Sequence, residues 1–168
     1  MNRATAYALS ILLFCIAGGC TSQGQNADQQ RAIAAAEALD QQFLAAFNAH
    51  NVDGVMATYW NSPDLVVCPP ETLELKGWTA VKEGYAKAFA QPGGAAKLEI
   101  TAAHYKAVGD SVIAWGTFKV AVPGVPGPRD FARGRFTEVI AQRDGKWVYI
   151  IDHASLPLEE IMPPPAKQ

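Results

Sequence analysis

The residues from Leu98 to Ser155 constrain the fold most, because they hold four long strand-like segments with little but turns between them. Leu98–Val108 and Ser111–Val122 are separated by Gly109–Asp110. Asp130–Arg143 and Lys146–Ser155 are separated by Asp144–Gly145. Gly paired with Asp lets a chain reverse within two residues, so each boundary predicts an antiparallel hairpin. The Gly/Pro-rich stretch Pro123–Pro128 joins the two hairpins. A meander this long must bury one face against a second layer.

That layer lies upstream. Asp28 is placed to cap a helix running to about His50. Ile33, Ala36, Asp40, Phe43 and Phe47 follow helical spacing, flanked by Leu39 and Leu44, and Asp40 alone breaks the apolar stripe. Asn51 or Asp53 caps a second, short helix ending near Tyr59–Trp60, and Pro63 stops it. Leu65–Cys68 reads as a short strand broken by Pro69–Pro70, with Thr72–Leu75 returning beside it and Gly77 ending the hairpin. Trp78–Ala90 is a third helix, with Val81, Tyr85, Ala88 and Phe89 on one face, and Gln91–Gly94 is a loop. Helices first and a meander after them predict an α+β fold with the helices on one face of the sheet.

The N-terminus reads as an address. Arg3 supplies a positive charge, Tyr7–Ala17 is an apolar run interrupted only by Ser10, and Gly18–Gly19–Cys20 follows. This order describes a secretory signal peptide over residues 1–19. The run is short of the roughly 20 apolar residues of a membrane span. Ala17–Gly18–Gly19–Cys20 resembles the bacterial lipobox, with Ala17 in place of the usual leucine. That resemblance implies acylation of Cys20 and anchoring in the cell envelope by lipid alone. Thr21, where Asp would retain the protein at the inner membrane, implies the outer membrane facing the periplasm. An ordinary signal peptide, cut nearby to release a free periplasmic protein, is the competing reading. Residues 20–28 read as an acylated cysteine with a polar, flexible tether, 29–158 as the domain, and 159–168 as a Pro-rich tail.

Composition enters as a bound. Of 168 residues 49% are hydrophobic and 18% charged, which fits one globular domain. Lys and Arg number 14 against 16 Asp and Glu and form no basic stripe, so nucleic acid is not an expected partner. Once Cys15 leaves with the signal peptide and Cys20 is acylated, Cys68 has no disulfide partner; within Leu65–Cys68 it reads as a buried, inert thiol. The three histidines have no metal-ligand spacing, and no CxxC, HExxH or Gly-rich phosphate loop occurs, so neither metal nor cofactor is expected.

The stretches Arg135–Val139, Arg143–Trp147 and Asp152–Pro157, with Val52–Tyr59 and Lys76–Trp78 upstream, resemble in order and spacing the nuclear-transport-factor-2-like superfamily. Within it the chain is most similar to SnoaL-like proteins and to the association domain of calcium/calmodulin-dependent kinase. The resemblance spans roughly Arg31 to Pro157. It implies a cone of three helices closed over a strongly curved, mostly antiparallel sheet, with a pocket inside and a homodimer formed through the open sheet face. The superfamily contains enzymes as well as binding and assembly domains, so fold alone does not give function.

Two-residue turn geometry at Asp144–Gly145 places Arg143 opposite Lys146, hence Phe136 opposite His153 and Glu138 opposite Ile151. Glu138 and His153 then share one face as a candidate catalytic couple, with His153 a general base. Arg135 and Asp152 form a second polar couple on the other face, and Val139, Val148 and Ile150 would share a face. A bulge would shift this register. The competing reading makes both couples structural. His104 alternates with Leu98, Ile100 and Ala102 toward the interior; with Tyr59, Trp60, Tyr85, Trp115 and Trp147 it completes the candidate ligand pocket. Aromatic residues at such spacings also serve as plain core. His50, ending a helix, is placed to offset the helix dipole. Three functions remain open: a tethered domain binding a small molecule or acting as an accessory; a lyase, isomerase or hydrolase built on the His–carboxylate couple; and an interaction module for another envelope protein.

Overall fold

The computed structural model describes residues 20–90, 96–121 and 131–157. The signal peptide expected over residues 1–19, the loop at Gln91–Gly94, the connection Pro123–Pro128 and the expected C-terminal tail lie outside the described residues. In chain order the elements are α1 (Cys20–Asn48), α2 (Val52–Met56), β1 (Val66–Cys68), β2 (Leu75–Lys76), α3 (Trp78–Phe89), β3 (Lys97–Val108), β4 (Ser111–Ala121), β5 (Phe131–Arg143) and β6 (Lys146–Ser155). The six strands form one sheet in the order β2-β1-β6-β5-β4-β3. All pairs are antiparallel except β1 with β6, which run parallel.

α1 begins at Cys20, eight residues before the cap expected at Asp28. Residues 20–28, expected to be a flexible tether, are thus the first turns of that helix. Thr21–Ala27 contains no proline, and Asp28 pairs with Arg31 one turn on instead of capping. The apolar stripe faces the sheet as its spacing requires: Ala36 and Leu39 are buried, and Phe43 and Phe47 pack against the same core. Asn51 caps α2, its side chain accepting from the Gly54 amide at 3.0 Å. His50 turns the chain with φ of 51°, and its ring lies against Phe89 and reaches the Ala96 carbonyl at 3.2 Å.

Two glycines let the inner face curl. Phe118 pairs across strands with Gly134, and Phe136 with Gly116, so each ring covers a position that has no side chain. A Cβ at Gly134 would fall 2.1 Å from the Phe118 ring, and one at Gly116 would fall 2.0 Å from the Ala102 carbonyl oxygen.

The β5–β6 turn forms as expected, with Asp144 and Gly145 at φ of 50° and 77° and Arg143 opposite Lys146. The register set by that turn does not persist. Ile140 pairs with Tyr149 but Val139 with Ile151, so Ile150 is an extra residue, a β-bulge. A second bulge at Thr101 interrupts β3, where Ile100 pairs with Phe118 but Ala102 with Thr117. Every side chain beyond each bulge changes face relative to strict alternation.

Candidate functional site

The β6 bulge separates the expected couple. Glu138 pairs with Asp152, and both turn to the helix-covered face; Thr137 pairs with His153, and both lie exposed on the open face. His153 therefore cannot act as a base on anything Glu138 touches. Arg135 and Asp152 also part: Arg135 lies exposed, its Nε donating to Ser155 Oγ at 3.2 Å, while Asp152 points inward. The β3 bulge sends Ala102 and His104 outward as well. His104 pairs with Trp115 on the open face, their rings 5.6 Å apart, and Trp115 is 42% exposed. Neither belongs to the interior. The outward apolar residues are Ile113, Trp115, Val139 and Ile151, whereas Val148 is buried and Ile150 occupies the bulge.

The interior instead gathers three carboxyl groups and four tyrosines. Asp40, the polar residue on the apolar stripe of α1, is 1% exposed. Tyr105 of β3 donates to its Oδ2 at 2.6 Å, and Tyr149 of β6 donates to its Oδ1 at 2.6 Å. The chain after α2 docks on β6: the Tyr149 amide donates to the Thr58 carbonyl at 2.9 Å, and the Trp60 amide to the Tyr149 carbonyl at 3.0 Å. This brings Tyr59 inward, where its hydroxyl donates to Asp152 Oδ2 at 2.6 Å and meets the Tyr85 hydroxyl of α3 at 2.8 Å. Glu138 lies close enough to Asp40 for each to shift the other's proton affinity. It is 8% exposed, and its Oε2 has no partner among the described residues.

Burial decides the protonation of this cluster. It pushes Glu138 well above the usual carboxylate range, and the charges of Asp152 and Asp40 add to the push. Burial also raises Asp40, although the hydrogen bonds from Tyr105 and Tyr149 oppose it. Asp152 is lifted by burial to about 6, against the opposing effects of the Tyr59 hydrogen bond and the nearby His153. Burial pushes all four phenols up, so they stay neutral. Burial and the neighbouring carboxylates thus favour the protonated form of Glu138, whereas Asp152, at about 6, is mostly ionised at neutral pH.

Of the expected pocket residues, Tyr59 and Tyr85 are in this cluster. Trp147 packs against the core beside it. Trp60 lies elsewhere, in a surface groove of about 460 Å³ shared with Met56, Trp78, Arg143 and Val148, and its ring carries the Arg143 guanidinium at 5.3 Å. A second groove of about 580 Å³ lies over Thr101, Thr117, Lys119 and Arg135. Cys68 is a free thiol and only half-buried. No group of three or more His, Cys, Asp or Glu side chains suited to a metal ion occurs among the described residues, and no helix among them is long and apolar enough to cross a membrane.

Sequence reasoning missed Asp40, Tyr105 and Tyr149 as site residues. Asp40 carried a signal, since a lone carboxylate on an apolar helical stripe must find partners once buried. Tyr105 carried none, because the Thr101 bulge hides its inward phase.

A helical layer over a curved sheet, with an acid–tyrosine cluster between them, defines a cone-type α+β domain. A family profile for the SnoaL-like domain matches residues 41–150, and the chain belongs to that family. Solved structures agree on the fold. An NTF2-like protein of unknown function from Pseudomonas putida KT2440 superposes with a TM-score of 0.66 at 21% identity, over 79% of this chain and 88% of the other. A protein provisionally described as a calcium/calmodulin-dependent protein kinase type II association domain, from Thiobacillus denitrificans, gives 0.63 at 26% identity, over 72% and 94%. One provisionally described as an NTF2-like dehydratase, from Streptomyces avermitilis, gives 0.66 at 18%, over 77% and 99%. No curated protein is significantly similar in sequence.

Proposed function

We propose that this SnoaL-like domain is exported, anchored by acylation of Cys20, and binds a small molecule inside its cone against Glu138, Asp40 and Asp152. The observation that carries the reading is the bare Oε2 of Glu138. A buried polar atom without a partner costs about 1–3 kcal/mol, and a ligand in contact with it removes that cost. Native mass spectrometry of the protein purified from its own membranes is the test. The reading expects added mass on the wild type that is lost in Glu138→Gln. A bare wild-type mass, with a melting temperature unmoved by its own cell extract, would count against it. For the anchor, Cys20→Ser is expected to release the protein from the membrane fraction, and retention there would refute acylation. On this reading the address is the outer membrane, facing the periplasm.

The open face supports a second element of the reading, a homodimer. Trp115 and Ile151 are 42% and 44% exposed there, beside Ile113 and Val139. Large apolar side chains grouped on one sheet face favour a partner surface.

A further inference from the structure

We infer that the interior cluster is built to take an organic ammonium ion, bound through its N–H groups to Glu138 and Asp152 and enclosed by aromatic rings. The inference rests on the small-molecule reading above and names the ligand's chemical class.

The first argument counts protons. A phenol has one proton to donate. Tyr105 and Tyr149 spend theirs on the two oxygens of Asp40. Tyr59 spends its proton on Asp152, so in the 2.8 Å contact between Tyr59 and Tyr85 the donor is Tyr85. All four hydroxyl protons are therefore committed to protein oxygens. What remains is Glu138, whose bare Oε2 is an acceptor once the carboxyl gives up its proton. A ligand that only accepts hydrogen bonds finds no uncommitted phenol here; one that brings donors finds the Glu138 oxygen.

The second argument concerns charge. The groups acting on the cluster are Asp40 and Glu37 from α1, Tyr59 after α2, Glu71 before β2, Tyr85 from α3, Tyr105 from β3, Glu138 from β5, and Tyr149, Asp152 and His153 from β6. Among these named groups four besides Asp152 are carboxyl groups, and one, His153 on the open face, is basic. A positive ligand relieves the repulsion that otherwise keeps a proton on Glu138. Binding is thus an exchange: the ammonium enters, and the Glu138 proton leaves to solvent.

The third argument is the wall. Phe43 of α1 meets the rings of Tyr59, Tyr85 and Tyr149 edge-on, at centroid separations of 6.1, 6.3 and 5.8 Å. Aromatic rings stabilise a cation with little hydration, and carboxylates beside them supply the counter-charge.

The test uses the mature chain with labelled tyrosine and phenylalanine rings, titrated with n-butylammonium and with n-butanol of the same shape. Binding is followed by NMR shifts of the Tyr59, Tyr85 and Tyr149 rings. The expected result is that the ammonium binds about tenfold or more tightly than the alcohol. Because a site proton must leave, its affinity should rise at least about tenfold between about pH 5.5 and about pH 8, where the probe stays charged. Glu138→Gln should weaken that pH dependence and leave only the part that follows Asp152. Equal or tighter binding of butanol overturns the ammonium class and leaves the small-molecule reading standing. Binding of neither probe also overturns the class, and a mass retained on the wild type in the native spectrum would show that the broader reading survives it. Ammonium binding that leaves the Tyr59, Tyr85 and Tyr149 rings unmoved likewise refutes the interior site.

Discussion

Asp152 allows a sharp test of the interior electrostatics. Its ordinary value is 3.8, and burial lifts it to about 6 in the fold. The folded protein then holds this proton more tightly than the unfolded chain does. The group's favourable contribution is fully present below the unfolded value and is lost as pH rises through the folded one. A displacement of about two pKa units corresponds to roughly 3 kcal/mol, of which roughly 2 kcal/mol falls between about pH 4 and about pH 7. Asp152→Asn keeps the shape and an oxygen for Tyr59 while removing the titration. Urea unfolding of both proteins at several pH values gives the difference directly, with the distant carboxylates they share cancelling. The variant should gain on the wild type by roughly 2 kcal/mol across that window. Parallel profiles would mean that water reaches Asp152 and the cluster is open. A wild type that gains on the variant as pH rises would mean that Tyr59 and His153 outweigh burial.

Other expectations follow from the same geometry. Tyr149→Phe leaves Asp40 with one phenol donor in a buried site and should cost about 1–3 kcal/mol in urea unfolding; a cost near zero would show that Asp40 finds water. Gly134→Ala forces the Phe118 ring aside and should cost about 1–3 kcal/mol, read as an earlier thermal midpoint. Trp115→Glu should change stability by no more than about 0.5 kcal/mol while converting a dimer to a monomer in light scattering; a wild type already monomeric at tens of micromolar would remove the open face as a dimer surface.

The architecture was legible because it rests on repeated local signals. The stripe from Ala36 to Phe47, the Asp144–Gly145 turn and the boundaries of β6 are written in residue type and spacing, and the structure reproduces them. The parallel docking of β1 on β6 was not legible, since three residues carry no signal of their partner. The site was misread for one physical reason. Strict alternation assigns a face to every residue, and a single extra residue reverses all that follow. Ile150 and Thr101 are such residues, β-branched in β-rich sequence, with no glycine to mark the bulge. They moved His153 and His104 outward and Asp152 and Tyr105 inward. Asp40 was visible as an interruption, but its meaning depended on tyrosines 65 and 109 residues away.

The central claim is that the cone holds a closed, acceptor-rich carboxyl cluster centred on Glu138. Carbon-13 NMR of the side-chain carboxyls, with Glu138→Gln identifying the signal, measures this most directly. The account predicts that in the empty protein the Glu138 resonance stays at its neutral-acid position at neutral pH, and that it moves to the carboxylate position when a cationic ligand binds. A Glu138 signal that titrates like an exposed glutamate, already ionised well below neutral pH in the empty protein, would contradict it.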